Sequence, residues 1–215
     1  MIDLLSILSI VLIISSLCVF GIRNYKIATY VYAFQTFILV MIFLFLYITY
    51  DAEQLGGWAI IAFFTKVIFV PFILLRLIKK LKVEHEDEPV LGFFISPVVA
   101  IAFSLAIAMA IYPIYLKFSL IQEHIPLIAS ITIFMIGIFG FILRNSAIKQ
   151  ILAYCTFENG IHLSLALMAY NSPEIAELGI LTDAIFAVLI MAILSQRFFK
   201  YFGSLDVSKA NELKG

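Results

Sequence analysis

The stretch TFENGIHLSL, residues 156–165, places a glutamate and a histidine four residues apart inside an apolar run. Asn159-Gly160 is a common turn dipeptide, so one reading makes the stretch a loop. The other puts Glu158 and His162 one turn apart on a helix within a membrane. A bilayer core about 30 Å thick requires about 20 apolar residues per helix. A loop here would cut the run 148–170 into two pieces, neither able to span, and would expose irregular backbone to lipid. The helix reading stands, and it places Glu158 about 15 Å from the start of its helix, near the bilayer midplane.

Composition supports a membrane setting. Of 215 residues, 64% are hydrophobic and 13% charged, with a mean hydropathy of +1.11; soluble domains carry about a quarter charged residues. The net charge of zero implies no nucleic-acid surface. Cys18 and Cys155 both fall in apolar runs and read as small core side chains. No CxxC pair or Cys/His spacing is present, so no cofactor or metal site is expected. No basic segment precedes the first apolar run, which is expected to be retained rather than cleaved.

Runs long enough to span occur near 3–22, 27–49, 57–78, 91–116, 125–143, 148–170 and 178–196. They predict an all-α, polytopic membrane protein with seven transmembrane helices. The connections and tail after the first, third, fifth and seventh runs hold twelve basic residues, the opposite ones only Lys117. By the positive-inside rule the N-terminus faces out and the C-terminus faces the cytoplasm.

Polar groups recur at mid-membrane depth. Lys66 lies in the middle of the third span, Asp183 in the outer half of the seventh, and Gln35 nine residues after Lys26 in the second. One charge at a helix centre costs about 2.5–3.5 kcal/mol to insert. Such residues are expected to face the protein interior, a subunit interface or a water-filled path. The plainer reading makes Lys66 the static partner of Glu158 or Asp183, and Gln35 interhelical hydrogen-bond glue. Pro71 predicts a kink that frees the Val67 carbonyl beside Lys66. His85 in EHEDE and His124 in QEHIP read as solvated loop residues, and the phenylalanines as packing and lipid-facing surface.

The chain also parallels itself. RNYKIATYVYAFQT (23–36) matches RNSAIKQILAYCTFEN (144–159), and TKVIFV (65–70) matches TDAIFA (182–187). Gln35 then corresponds to Glu158 and Lys66 to Asp183. Spans one to three would repeat as five to seven in a parallel sense. This divides the chain into a three-helix unit (1–82), a connecting helix (83–120), a second three-helix unit (121–202) and a cytoplasmic tail (203–215).

Four blocks carry a resemblance to a known family: AEQLGGWAIIAFFTKVIFVP (52–71), KQILAYCTFENGIHLSLALMAY (149–170), PEIAELGILTDAIFAV (173–188) and SLDVSKANELKG (204–215). They resemble hydrogenase-4 component E, the membrane subunits of formate hydrogenlyase-type, group 4 nickel–iron hydrogenases. The last three spans are also similar to the K subunit of complex I and the C subunit of multi-subunit cation/proton antiporters. Those relatives carry a glutamate in each of two neighbouring helices. Glu158 matches the first; the second position is Asp183 here, which keeps the carboxylate and shortens its reach.

The resemblance implies a multi-pass subunit of a prokaryotic cell membrane. Its partners would be other membrane subunits, antiporter-like ones among them, and a peripheral arm of nickel–iron and iron–sulfur subunits that does the redox chemistry. The chain itself would contribute a path for protons or sodium. In that scheme Glu158 is the central carrier and Asp183 relays on its outer side. His162 shuttles protons near neutral pH. Lys66 tunes the carboxylates, since a nearby cation favours the ionised form and desolvation opposes it. Two rivals stay open: an antiporter subunit with no redox partner, and a scaffold with no ion path.

The loop charges set a direct test of orientation. A cysteine placed at Lys80 should react only with a membrane-permeant reagent, and one placed at Glu174 should react with an impermeant reagent. The reverse pattern would overturn the orientation.

Overall fold

In lipid every backbone polar group needs a partner within the protein, which restricts a spanning chain to helices or a closed barrel. The computed structural model describes residues 2–87, 89–170, 179 and 183–212, except the side chains of 2, 3, 183, 184, 211 and 212. Among them seven helices are long and apolar enough to cross a membrane. They are α1 (Ile2–Gly21), α2 (Tyr25–Tyr50), α3 (Glu53–Leu81), α4 (Gly92–Phe118), α5 (His124–Leu143), α6 (Ala147–Ala169) and α7 (Val188–Phe202), whose full span starts in the preceding turn at Ile185. The 156–165 stretch is helical throughout, inside α6. The seventh helix runs six residues beyond its expected end at 196, and its expected start at 178 lies outside the described residues.

Helix α3 is not uniform. Its middle, Phe63–Phe69, is a π-helix, and the Val70 N–H bonds to the Thr65 carbonyl five residues back. Pro71 follows at once. A proline in a regular α-turn clashes with the carbonyl four residues before it. The extra residue in the π turn opens that turn, so the irregularity appears as a bulge around Lys66. A second π segment, Asp183–Ala187, leads into α7 and packs against the first.

Gly160 explains itself by packing. A Cβ at Gly160 would fall on the Phe134 backbone, and one at Gly137 would lie 2.5 Å from the Phe157 Cβ. Bare backbone at these points lets α5 and α6 meet closely, as small residues do between membrane helices. The Asn159-Gly160 pair thus serves helix packing and forms no turn. Helix α4 uses the same device against α5, burying Ser96, Ala100, Ser104 and Ala108 at four-residue intervals.

One joint is built twice. After α3, Glu84 and Glu86 exchange backbone hydrogen bonds with Tyr25 and Arg23 in the α1–α2 turn; after α7, Leu205 and Val207 do so with Ala147 and Asn145 in the α5–α6 turn. The residue ending each third helix is left-handed, Lys82 with φ 55° and Gly203 with φ 64°. Counted from the caps, Gln35 lies eleven residues past Asn24 and Glu158 twelve past Ser146. That single residue turns a side chain by about 100°.

Besides a small apolar cluster of Phe20, Ala100, Ile136 and Leu143, two large apolar cores fill the bundle. One contains Leu12, Ile38, Ala62, Leu127 and Leu163; the other contains Tyr32, Val70, Cys155 and Val188. Along α2, α3 and α6 the polar positions fall between them. Cys18, expected in the core, is exposed on α1. His85 and His124 are exposed as expected, and His124 packs edge-on to Tyr112.

The close α5–α6 contact should be intolerant of one methyl group. Gly160→Ala is expected to cost about 1–3 kcal/mol through overpacking. Gly21→Ala, whose Cβ would meet only Pro97 at 3.6 Å, should be close to neutral. Thermal unfolding of the two variants in detergent checks the contrast.

Candidate functional site: a buried lysine with three partners

The π segment of α3 directs Lys66 into the polar layer between the two cores. Its side chain is fully buried. The ammonium lies 3.2 Å from Glu158 Oε2, 2.8 Å from His162 Nδ1 and 3.3 Å from Asn159 Oδ1. All three partners come from one face of α6, because positions i, i+1 and i+4 converge on a neighbour that approaches between them. An ammonium carries three N–H donors, and here three acceptors surround it. In this arrangement His162 accepts at Nδ1, so its own proton sits on Nε2.

Asn159 extends the cluster by donating to Thr36 Oγ1 at 3.0 Å. Thr36 is also twelve residues past its cap, the count that places Glu158 on α6. The neighbouring Gln35 instead turns to α1 and donates to Ser16 Oγ at 2.6 Å. Gln35 thus links α2 to α1 by a hydrogen bond and does not touch Lys66. Asp183 opens the π segment that packs on the one holding Lys66, and its side chain lies outside the described residues.

Of the residues singled out from sequence, Lys66, Glu158 and His162 meet, Gln35 lies one helix away, and Asn159 and Thr36 were missed. Asn159 falls on the helix that the sequence predicts over 148–170, but the sequence reading gives it no role. Its spacing of three from His162 was the available signal.

A second buried charge cluster lies where the two joints touch. Arg144 Nη1 contacts Glu86 Oε2 at 3.0 Å, with both side chains about 1% exposed. The Arg144 guanidinium also lies over the Phe20 ring, 4.4 Å from its centroid. Lys149 reaches across to α1 and donates to the Val19 and Phe20 carbonyls at 2.7 and 3.1 Å. Those carbonyls belong to the last turn of α1, where the helix has no internal donors left and its dipole favours a cation. Burial lifts the Glu86 carboxyl above its usual range, against the pull of the Lys149 and Arg144 cations. Burial likewise lowers Arg144, against Glu86.

In the sequence Arg144 and Lys149 read only as loop charges, and Glu86 carries no assigned role. Nothing in EHEDE separates the buried Glu86 from the exposed Glu84, His85 and Asp87. Between the clusters, Ser16, Thr156, Arg144 and Lys149 help to line a cavity of about 10 Å³, roughly the room one water needs.

Comparison with known proteins bears on this geometry. Hydrogenase-4 component E of Escherichia coli K12 is 33% identical over 204 residues, which is 95% of this chain and 94% of that protein. The chain belongs to the hydrogenase-4 component E family. The same protein in Shigella flexneri matches equally, and an uncharacterized protein of Mycobacterium tuberculosis is 31% identical over 40% of this chain and 39% of its own. Residues 125–215 also match the model of NADH-ubiquinone/plastoquinone oxidoreductase chain 4L. Glu158, His162 and Asp183 lie within that match, and Lys66 and Gln35 precede it. No solved structure gives a significant match. Membership and seven apolar helices make this a multi-pass prokaryotic membrane protein.

The second cluster predicts a stability effect independent of the first. Glu86→Gln removes the carboxylate from two buried cations and should cost about 3–5 kcal/mol. Arg144→Gln added to it should recover part of that loss. Glu84→Gln, which breaks only an exposed 3.8 Å contact to Lys26, should change stability by less than about 1 kcal/mol. Melting of the four proteins in detergent measures the coupling.

Proposed function

We propose that this chain is an integral membrane subunit of a group 4 membrane-bound hydrogenase complex, where its buried charges take part in proton or sodium translocation coupled to electron transfer. Membership in the hydrogenase-4 component E family supports the setting. The observation that carries the ion-path reading is the Lys66 ammonium shared between Glu158 and His162 in a π segment at mid-span.

The chemistry follows from that sharing. With Glu158 ionised, the ammonium is held by a carboxylate and an imidazole at once. A proton arriving on Glu158 cancels its charge, and the attraction that holds Lys66 to it falls. His162 and Asn159 then retain the ammonium, so the cation need not leave the layer. Loss of the proton restores the pair. Lys66 thus acts as a tethered counter-charge that makes both states of Glu158 tolerable in lipid. Asp183 would pass protons on its outer side. The basic end of the bundle would face the cytoplasm. Its partners in this reading are antiporter-like and other membrane subunits, together with the nickel–iron and iron–sulfur arm.

A static Lys66–Glu158 pair is the competing reading, favoured by the three acceptors that already surround Lys66. Glu158→Gln separates the two. As a carrier variant it should assemble and keep hydrogenase activity with an artificial electron acceptor, yet lose ion translocation. As a broken static pair it would strand a cation at a cost of about 3–5 kcal/mol, and poor assembly would dominate. Lys66→Met combined with Glu158→Gln removes both charges. Assembly without coupling in that double variant supports the ion path; recovery of assembly together with coupling overturns it.

A further inference from the structure

Outside the two buried clusters, the end of α3 and the length of α7 frame an open cleft. Its wall toward the membrane is apolar, formed by Phe69, Phe72 and Ile73 of α3 with Leu189 and Ile193 of α7, and the space is about 290 Å³. Toward the end of the bundle it continues into a second space of about 530 Å³ bordered by Lys80, Arg197, Lys200 and Tyr201. Lys80, Gln196 and Arg197 are near the junction: Lys80 and Gln196 line both spaces, and Lys80 Nζ donates to Gln196 Oε1 at 2.6 Å across the cleft. Arg76 adds a fourth cation on the apolar side.

Two features of this cleft point to the same ligand. Its slot is apolar and opens laterally, with Phe72 and Ile193 58% and 52% exposed. Its cations are Arg76, Lys80, Arg197 and Lys200, all exposed, and among the described residues none has a carboxylate within ion-pair distance. Among the described residues no acidic side chain lines either space. A soluble anion would match the cations and leave the slot unused. A neutral lipid would match the slot and leave the cations unpaired. A molecule with hydrocarbon at one end and a phosphodiester at the other satisfies both.

We propose that the α3–α7 cleft binds an anionic phospholipid, with an acyl chain along Phe72, Ile73 and Ile193 and its phosphodiester among Arg76, Lys80, Arg197 and Lys200. Phe69 is both the last residue of the α3 π segment and part of the cleft wall. The bound lipid therefore sets the spacing of α3 and α7 beside the point where their π segments meet. This assignment is independent of the ion-path reading.

The test uses the full chain in its complex and then purified in detergent. A photo-crosslinking benzoylphenylalanine replaces Phe72 or Ile193 in cells that make the whole complex, and the adducts are identified by mass spectrometry. Phospholipid adducts are expected at both positions. Adducts to another protein subunit, or no adduct, would overturn the proposal. In detergent, native mass spectrometry compares added phosphatidylglycerol with phosphatidylcholine. Phosphatidylglycerol should be retained preferentially, and inorganic phosphate should not displace it. A cation near an anionic lipid contributes about fivefold in affinity, so Arg76→Gln with Lys80→Gln should weaken retention roughly thirtyfold. Lys26→Gln, at the same end and outside the cleft, should leave it unchanged. Equal retention of both lipids, or equal effects of the two substitutions, would also refute the site.

Discussion

An ammonium at the centre of a bilayer has to be matched, and Lys66 sets that requirement for this fold. Its partners must reach it from another helix, since nothing nearby on α3 is anionic. Glu158, Asn159 and His162 supply them from a single face of α6. That in turn fixes how α6 is turned about its axis, and α6 cannot turn freely because Gly160 and Gly137 lock its other side to α5. The charged face and the glycine face of one helix therefore determine each other. Desolvating two charges is costly, and a buried pair returns that cost only with good geometry and further hydrogen bonds. Asn159 and His162 provide those bonds to the ammonium, whereas the Glu158 carboxylate has no hydrogen-bond partner among the described residues.

The π segment at Phe63–Phe69 makes this arrangement possible. A regular helix holds successive side chains at fixed angles, and one additional residue in a turn re-aims those that follow. Pro71 stabilises the bulge by being unable to continue an undisturbed ladder. A second π segment leads into α7 against the first. Two loosened turns in contact, one of them carrying a buried cation, form a layer that differs from the tightly packed cores on either side. The Glu86–Arg144–Lys149 cluster is of another kind. It ties backbone ends, aromatic rings and two turns together, and its partners suit architecture rather than transport.

Family membership and geometry contribute different things to the functional reading. Similarity over 95% of the chain fixes the relatives. It says nothing about which polar groups touch. The chain 4L match begins at residue 125, so Lys66, the counter-charge on which the α6 cluster is organised, comes from the half of the chain outside it. In this chain the polar face of α6 is paired with a residue of the first half.

Sequence alone determined the number of helices and their spans, because lipid allows few backbone conformations and enforces a minimum apolar length. It also determined that Lys66, Glu158 and His162 belong inside, since a lipid-facing charge is too costly. It did not determine which of them meet. Gln35 and Glu158 aligned as equivalents, yet a one-residue difference counted from the caps turns one toward Ser16 and the other toward Lys66. It placed Asn159-Gly160 on a helix but left open which neighbours the pair meets, because that depends on rotation about the helix axis. It left Glu86 and Arg144 among the loop charges, because burial at a turn depends on a segment arriving from more than fifty residues away. Tertiary structure decided these points, since rotation about a helix axis and the docking of distant turns are set by packing, which no local pattern encodes.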